Sequence, residues 1–470
     1  MGQRSPMKRR RRYLRRQGIL PFVSEKRLRG EVTGRAGLTL VIETFRALDL
    51  DQEAVRLLPA PKRQRGFDAA EKLEALVALI AEGGERVQDI QVLAADLGYL
   101  RLLGAELPSP DALLDFLNGF HDPGCWDDRP ADKAAFVPPE SAALRGLDEL
   151  NRVLIRRAAS RGTTTATVDH DGTIIESHKR DAQLAYEGTR GYQPLVATWA
   201  EEELVLTEEF RDGNVAGGED PLSSARRAFA QLPAWVQQRY YRADSASYYG
   251  PLLKHLAAEK IGFTISADMT RELRAVCEAV PAERWQMLEK RATEHASVAE
   301  VEFAPGDWPK GAAPLRYVAI RFEPLQGSFF EHAGPKYLAI VSNRDDLEPA
   351  ELVRWHWQKA GTIEHVHRVM KDDLAAGVLP CEKFGANAAW FRINAITFNL
   401  LTVLKRRALP ERFYKARPKR LRFEVFSIPA RLTVRQRQLV ADIAVGDARS
   451  DEWILARRRL LEIYEGAPPR

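Results

Sequence analysis

The stretch TATVDHDGTIIES, residues 165–177, has the composition of a buried β-strand but carries two aspartates, Asp169 and Asp171. Alternate residues of a strand point to the same face, so the pattern predicts that both carboxylates project together. The arrangement is costly, because like charges repel each other and burial removes their hydration. An acidic strand end that reaches solvent would explain it structurally, and a cluster of acids that binds divalent cations would explain it functionally.

The segments that follow this strand predict a specific order of elements. Residues 194–211 predict two strands joined by a tight acidic turn, and residues 220–232 predict a helix. A strand (237–245), a helix (248–259) and another strand (261–267) come next. Three successive strands followed by helix, strand, helix and strand match the ribonuclease-H-like fold, a mixed sheet flanked by helices. The predicted fold class is therefore α/β.

The basic residues are clustered, although the formal net charge is only +5. One block is MKRRRRYLRRQG (7–18), and the other is KRRALPERFYKARPKRLRF (405–423). Such blocks indicate a polyanionic partner, and a solvated tail is the alternative for either block alone. The second block is interleaved with Phe413, Tyr414 and Phe423, which favours nucleic acid.

Composition excludes several other classes of protein. No apolar run reaches the ~18 residues that a membrane span requires, and no apolar stretch follows the basic N-terminus as in a secretory signal. Cys125, Cys277 and Cys381 are scattered, without metal-ligand spacing. We therefore expect a protein of the reducing cytosol that does not bind a membrane.

Pattern and composition divide the chain into segments. Amphipathic helical patterns lie near 37–48, 69–82, 87–97 and 110–119, and strands with turn residues occupy the region after 280. We predict a basic arm (1–30), a helical DNA-binding domain (31–135), the first part of the ribonuclease-H-like core (140–280), a β-rich insertion (281–335), the second part of the core with a late helix (336–405) and a basic helical C-terminal region (406–470).

Two further acids lie where this fold can bring them to the strand of Asp171. Asp244 ends the predicted strand after the first helix, where capping of the next helix is the structural alternative. Glu364 lies on a late predicted helix in line with Trp357 and Lys371, and a surface Glu–Lys pair is the alternative there. Carboxylates from three elements are tolerated together when Mg²⁺ neutralises them, and two such ions can catalyse phosphodiester transfer.

Several blocks of sequence, taken in order, resemble one family. They are DHDGTIIES (169–177), YEGTRGYQPLVATW (186–199), EFRDGNVAG (209–217), YYRADSASYY (240–249), GTIEHVHRVMK (361–371) and FGANAAWFRINAITFNLL (384–401). Together they resemble the DDE transposases of bacterial insertion sequences, and more closely the insertion-sequence "thirteen-eighty" group of the superfamily marked by a Y-R-E-K signature. The resemblance covers roughly residues 160–405.

The resemblance implies catalytic and metal-binding roles for Asp171, Asp244 and Glu364. Asp169 competes with Asp171 for the first position and is an additional candidate metal ligand. Lys371 matches the signature lysine, which implies a contact with DNA near the cleavage site. At two other signature positions the chain departs from the family.

Trp357 stands where the signature has tyrosine, and Ala360 stands where it has arginine. Tryptophan can still stack on a base or a sugar, whereas alanine removes a bidentate phosphate contact that neighbouring Lys359 replaces only with a point charge. Arg211 and Asn214 are weaker candidates for DNA contact, because a turn explains them equally well. Loop packing is the favoured alternative for Arg190, and Arg368 is a further candidate for DNA contact.

The resemblance implies cut-and-paste transposition through a hairpin intermediate. Double-stranded DNA would be the partner, as terminal inverted repeats and as target, bound by a homodimer. Mg²⁺, with Mn²⁺ as a substitute, would be the cofactor for nicking and for attack by the freed 3′-hydroxyl. Two alternatives remain, a transposase-derived DNA-binding protein without activity and a nuclease of the same fold that does not transfer strands.

Overall fold

The computed structural model describes residues 28, 30–60, 66–130, 134–306, 308, 314–325, 334–443 and 446–465, without the side chains of residues 447, 464 and 465. The predicted basic arm lies almost wholly outside the described residues, and so do residues 309–313 and 326–333 of the predicted insertion.

The N-terminal region is helical, as its amphipathic patterns predict. Its longest helix starts with a capping box between Asp68 and Glu71 and ends at Gly83, whose φ of 97° is left-handed. The elements are β1 (Val32–Thr33), α1 (Thr39–Ala47), α2 (Leu50–Leu57), α3 (Ala69–Glu82), α4 (Ile90–Ala94), α5 (Leu97–Leu103) and α6 (Pro110–Asn118).

A mixed sheet with helices against it forms the middle of the chain. Its elements, with a small separate sheet, are α7 (Ala142–Ala158), β2 (Thr165–Gly172), β3 (Ile175–Glu176), β4 (Gln183–Leu184), β5 (Arg190–Tyr192), β6 (Leu195–Trp199), β7 (Leu204–Glu209), α8 (Pro221–Gln231), β8 (Gln238–Ala243), α9 (Gly250–Ala258), β9 (Gly262–Ser266), α10 (Arg271–Glu278), β10 (Gln286–Lys290), β11 (Glu294–Val301), β12 (Arg316–Pro324) and β13 (Lys336–Ser342).

The pairing of these strands confirms the predicted fold class. Within the described residues the main sheet has nine strands in the order β10-β11-β12-β13-β9-β8-β2-β6-β7. Strand β2 is parallel to β8 and antiparallel to β6, and β8 is parallel to β9. The order β7-β6-β2-β8-β9, with helices α8 and α9 between strands, is a ribonuclease-H-like mixed sheet.

The strands of the predicted insertion continue this sheet. Strand β13 pairs with β9, and β12, β11 and β10 follow as an antiparallel meander. A separate cluster of buried side chains, which includes Leu288, Val298 and Ile320, packs against Leu352 and Val353 of a late helix. The sequence alone does not predict this continuity, because strand pairing depends on residues far apart in the chain.

The small sheet, in the order β3-β5-β4, lies between β2 and β6 in the chain and was not predicted. Its strands are two or three residues long, which is too short to show an alternating pattern. A Cβ atom at Gly191 of β5 would lie 2.0 Å from the carbonyl oxygen of Ile175, so only glycine permits this close pairing.

The C-terminal part begins with helices and then departs from the helical prediction. Residues Gln436 and Arg437 form a tight turn with positive φ angles of 52° and 65° between two strands, and the first of these strands pairs with β1. A turn without glycine or asparagine gave no hairpin signal in the sequence. The elements are α11 (Pro349–Trp357), α12 (Lys359–Asp373), α13 (Phe384–Val403), a π-helical turn (Leu404–Ala408), α14 (Pro418–Leu421), β14 (Ala430–Arg435), β15 (Gln438–Ile443) and α15 (Asp447–Glu465).

Helix α13 is buried along almost its whole length and packs against α3, α7 and β7. It therefore joins the N-terminal helices to the sheet. No helix in the described part of the chain is long and apolar enough to cross a membrane. The division of the chain into domains stays a prediction.

Candidate active site

The two aspartates of β2 lie in different environments. Asp169 is fully buried, and its carboxylate accepts hydrogen bonds from Nε and Nη2 of Arg242 at 2.6 and 2.9 Å. The hydroxyl of Thr362 on α12 donates to the same carboxylate. Arg242 stands directly opposite Asp169 in the parallel register of β2 and β8. The charge of Asp169 is therefore compensated inside the protein.

Arg242 connects three elements through this ion pair. Its Nη1 donates to the carbonyl oxygen of Trp355 at 2.7 Å, and its guanidinium lies 5.1 Å from the centroid of the Trp355 ring. Only 2% of Arg242 is exposed. The pair between Asp169 and Arg242 thus fixes β2, β8 and α11 against one another.

Asp171 lies two residues further along β2 and is only partly buried. Its Oδ1 is 3.5 Å from Nζ of Lys359, and its Oδ2 is 3.7 Å from Nε2 of His367. The pKa of Asp171 is raised to about 6: burial raises it most, the ammonium of Lys359 lowers it, and the charges of Asp244 and Glu364 raise it. Asp244 and Glu364, the other two acids predicted from the sequence, therefore both lie close enough to Asp171 to repel its carboxylate.

Asp244 directly follows β8, the parallel neighbour of β2, so the two strands bring Asp171 and Asp244 to the same edge of the sheet. One carboxylate oxygen of Asp244 accepts a hydrogen bond from the backbone N–H of Ala246 at 3.2 Å. The acid thus caps the short turn Ser245–Ser247 and not α9.

Glu364 is exposed on α12, the helix that packs against β2 and β6. Among the described residues, no three His, Cys, Asp or Glu side chains converge closely enough to hold a metal ion as they stand. The chemistry of the donors nevertheless fits Mg²⁺, because Asp171, Asp244 and Glu364 offer carboxylate oxygens and Asp171 has only a lysine as a close counter-charge.

His367 is a buried neighbour of Asp171 that the sequence analysis did not select. Neither of its ring nitrogens has a hydrogen-bond partner. Burial lowers the pKa of His367 to about 3, so the imidazole is neutral at physiological pH. Its position three residues after Glu364 on a helix is the signal that could have identified it, since residues three apart share a face.

Two lysines border the carboxylates. Lys359 begins α12 beside Asp171, and Lys371 lies in its last turn. The ammonium group of Lys371 donates to the hydroxyl of Thr173 at 3.0 Å and to the carbonyl oxygen of Ile174 at 3.2 Å. Lys371 is thereby held against the residues that directly follow β2.

The other signature positions lie on the same part of the fold. Trp357 ends α11, and the guanidinium of Arg291 lies 5.2 Å from its ring centroid. Ala360 and Arg368 are exposed on α12. An arginine at position 360 would therefore extend into solvent beside Lys359.

Arg190 and Arg211 make their contacts within the protein. Arg211 is 1% exposed, and its Nε lies 2.5 Å from a carboxylate oxygen of Glu209. Arg190 donates to the carbonyl oxygens of Arg180 and Ala182 and so closes the small sheet. Asn214 is half-buried nearby. These contacts support the structural alternatives of turn formation and loop packing.

Asp268 is a fourth acid near the site, and the sequence analysis missed it. It follows β9, the next parallel strand, and is exposed. Burial of part of the carboxyl raises the pKa of Asp268, the hydrogen bond from Ser245 lowers it, and the charge of Asp244 raises it. Its place just after the carboxyl end of a neighbouring parallel strand is the signal that would have found it.

The chain has similarity to known proteins. A piggyBac transposase synaptic complex with hairpin DNA, solved by cryo-EM, aligns over 95% of this chain and 84% of that chain, with a TM-score of 0.43 and 12% identity. The protein nucleotidyltransferase YdiU of Rhizobium etli (strain CIAT 652) is 26% identical over 215 residues. That alignment covers 43% of this chain and 41% of the relative, so the chain spans less than half of the relative's length.

The family described as "Transposase DDE domain group 1" matches residues 25–462. The match includes every strand of the main sheet and the helix α12 that carries Glu364. It confirms the resemblance to DDE transposases, whereas the insertion-sequence group stays a prediction. The chain belongs to the DDE-domain transposases of group 1.

Proposed function

We propose that the protein cleaves DNA at terminal inverted repeats and joins the freed ends to target DNA, with Asp171, Asp244 and Glu364 as the catalytic acids. The observation that carries this proposal is the contrast between the two aspartates of β2. Asp169 is buried and neutralised by Arg242, whereas Asp171 lies at the strand end with a raised pKa caused by burial and by two other acids.

The carboxylates define where a divalent cation would be held. Mg²⁺ bound by Asp171, Asp244 and Glu364 would supply activation of the attacking oxygen and stabilisation of the leaving oxygen of a phosphodiester. Asp169 does not join this set, because its oxygens already accept hydrogen bonds from Arg242 and Thr362. Mn²⁺, which accepts the same oxygen ligands, is the expected substitute.

Basic side chains of the protein would bind and orient the DNA. Lys359 and Lys371 lie on either side of Glu364 along α12, so both can neutralise phosphates that flank the scissile bond. Exposed Arg368 adds a third charge on the same helix. Trp357 offers a ring for stacking in place of the signature tyrosine.

Two chemical steps would use this site. In the first, water attacks the phosphorus at the repeat boundary and the 3′-oxygen leaves as a free hydroxyl. In the second, that hydroxyl attacks the phosphodiester of the opposite strand and displaces the 3′-oxygen of the flanking DNA, which leaves a hairpin. Attack by water on the hairpin, a repeat of the first step, frees the 3′-hydroxyl again, and a repeat of the second step joins it to target DNA with displacement of a target 3′-oxygen. Double-stranded DNA is thus substrate and partner, and a homodimer would hold the two ends, as expected for the insertion-sequence "thirteen-eighty" group.

One observation favours a second candidate function. Ala360 leaves the signature arginine position without a guanidinium, so a transposase-derived protein that binds the repeats without cleaving them would also fit. The three acids favour the active enzyme, because a protein that only binds DNA gains nothing from carboxylates that repel phosphates.

The test uses purified protein and a labelled duplex in which a candidate inverted repeat from beside the gene is joined to its flanking DNA. We expect a Mg²⁺-dependent nick and hairpin at the repeat boundary, and no product in EDTA. Asp171→Asn, Asp244→Asn and Glu364→Gln should each abolish cleavage while they preserve binding of the duplex.

Asp268→Asn is the matched control, because it removes a neighbouring exposed acid outside the proposed set. Salt-sensitive binding without cleavage in any divalent metal would favour the DNA-binding alternative, and Ala360→Arg would then be expected to restore cleavage. Nicks that never yield a joined product would favour a nuclease. Cleavage that survives all three substitutions would contradict the assignment of the acids.

A further inference from the structure

A cavity of about 270 Å³ lies on the other side of α12 from the carboxylates. We name it the Lys405 cavity; its lining includes Trp199, Thr362, His365, Lys405, Tyr414 and Lys415. Trp199 stands opposite Val168 in the register of β2 and β6. Since Val168 and Asp171 are three residues apart, the cavity begins roughly 10 Å from the acids, at about 3.3 Å per strand residue.

Lys405 is the unusual feature of this cavity. It lies in the π-helical turn after α13 and is 8% exposed. It makes no hydrogen bond or ion pair with any residue that the structure describes. Glu203 also lines the cavity and its charge raises the pKa of Lys405, but its carboxylate lies 3.5 Å from the guanidinium of Arg406. A largely buried ammonium without a dedicated counter-ion is costly.

The surroundings of Lys405 add positive charge and hydrogen-bond donors. Lys415 and the ring of Tyr414 are exposed at the rim of the cavity, and half-buried His365 lies on α12. Burial lowers the pKa of His365, and the charge of Lys405 lowers it further. The second basic block of the sequence therefore contributes Lys405, Tyr414 and Lys415 to a single concave surface.

A phosphate-bearing ligand matches this chemistry. An anion would compensate Lys405, and lysine binds phosphate as a strong point charge. The volume is just below the ~300 Å³ at which sites for small organic ligands begin, so the cavity admits a phosphate with one small attached group. The exposed ring of Tyr414 provides a stacking surface for a base at the rim.

We propose that the Lys405 cavity binds the phosphate monoester of a nucleotide, with Lys405 and Lys415 on the phosphate and Tyr414 against the base. A free mononucleotide and a 5′-phosphorylated DNA end share this chemistry. The cavity also includes Thr362, whose hydroxyl donates to Asp169. A bound phosphate would thus lie beside the first turn of the helix that carries Glu364, in a site separate from the carboxylates.

The experiment is calorimetric titration of the full chain in EDTA and a phosphate-free buffer, so that the acids hold no metal. The probes are inorganic phosphate, deoxyadenosine monophosphate, deoxyadenosine, and one short single strand with either a 5′-phosphate or a 5′-hydroxyl. We expect the monophosphate to bind and the nucleoside not to bind. Tighter binding of the 5′-phosphorylated strand than of the mononucleotide would identify a DNA end as the source, and the reverse would identify a free nucleotide.

Lys405→Met should weaken binding of the monophosphate at least tenfold. Lys336→Met, which removes an exposed lysine of β13, is the matched control and should leave binding unchanged. Glu364→Gln should also bind normally, which separates this cavity from the acids. If Lys405→Met does not fold, Lys415→Met, an exposed position, should weaken binding in its place.

Three outcomes would overturn the proposal. They are no binding of any phosphate-bearing probe, equal binding of nucleoside and monophosphate, and affinity that persists in both Lys405→Met and Lys415→Met. None of these measurements requires DNA cleavage, so their result is independent of the proposed transposition chemistry.

Discussion

Removal of Arg242 should destabilise the protein by about 3–5 kcal/mol, the range for removing one partner of a buried ion pair and leaving the other partner's charge buried. In Arg242→Met, Asp169 would remain fully buried with only the hydroxyl of Thr362 as a described side-chain donor. The lost hydrogen bond to the carbonyl oxygen of Trp355, 2.7 Å in the native protein, adds about 1 kcal/mol. We therefore expect a loss near the upper end of the range.

The double variant Asp169→Leu/Arg242→Met tests whether the loss of stability comes from the uncompensated buried charge of Asp169. Replacement of both partners by apolar groups removes the uncompensated charge, so the double variant should recover most of the stability lost in Arg242→Met. The free energy of unfolding would be measured by urea titration followed by tryptophan fluorescence. Arg435→Met is the matched control, because the exposed pair of Arg435 and Asp442, 2.8 Å apart, should contribute at most about 1 kcal/mol.

The reasoning would be refuted if Arg242→Met cost less than about 1 kcal/mol, as surface pairs do. It would also be refuted if the double variant lost the sum of the two single losses, since independent sites add in that way. Either result would mean that Asp169 is not held by Arg242, and Asp169 would then return as a candidate for the first catalytic position.

The remaining predictions concern the carboxylates and the tight contacts around them. The folded-state pKa of Asp171 is raised from 3.8 to about 6, so the contribution of this carboxyl to stability is fully present below pH 3.8 and is lost as the pH rises through 6. Asp171→Asn should therefore gain stability relative to the native protein between pH 4 and 7, on the order of 3 kcal/mol. Equal pH profiles of the two proteins in urea titrations would contradict this prediction. Lys359→Met should bind Mg²⁺ about tenfold more tightly by calorimetry, because an ammonium 3.5 Å from Asp171 no longer competes with the cation; unchanged affinity would show that Lys359 does not compete. His367→Leu should raise stability in EDTA by about 1 kcal/mol, since the buried imidazole nitrogens have no hydrogen-bond partners, and a lower melting temperature would disprove this reading. Gly191→Ala should lose several degrees in melting temperature, because its Cβ would lie 2.0 Å from the carbonyl oxygen of Ile175, whereas an unchanged value would mean that the small sheet can shift freely.

The central strands and helices could be predicted from the sequence because each has a local pattern of apolar residues typical of its secondary structure. Strand β2 has the composition of a buried strand, and α8 and α9 have helical spacing between short apolar strands, so their order alone indicated the fold. Strands β3, β4 and β5 are too short to carry such a pattern. The attachment of β13 to β9 depends on residues about 75 positions apart, and no local pattern encodes such a pairing.

The difference between Asp169 and Asp171 could have been predicted in part. Strand β2 carries Asp-His-Asp just before its last residue, and β8 ends with Arg-Ala, directly before Asp244. Once the two strands are parallel neighbours, the shared register sets Asp169 beside Arg242. The same register brings Asp171 next to Asp244 at the sheet edge. The sequence could not predict how deeply Asp169 is buried, because its burial depends on α11 and α12 covering this end of the sheet. The contact of Arg242 with Trp355 and that of Asp169 with Thr362 show these two helices in place.

The width of the continuous main sheet can be compared with the length of one turn of duplex DNA. Nine strands in the described part of the chain, at a spacing of about 4.8 Å, give a width of about 38 Å measured along the sheet. One turn of duplex DNA is about 34 Å long. Strand β10 lies six strand spacings from β2, which is about 29 Å. A duplex placed at the carboxylates and running across the sheet would therefore reach the outermost described strand within a single helical turn.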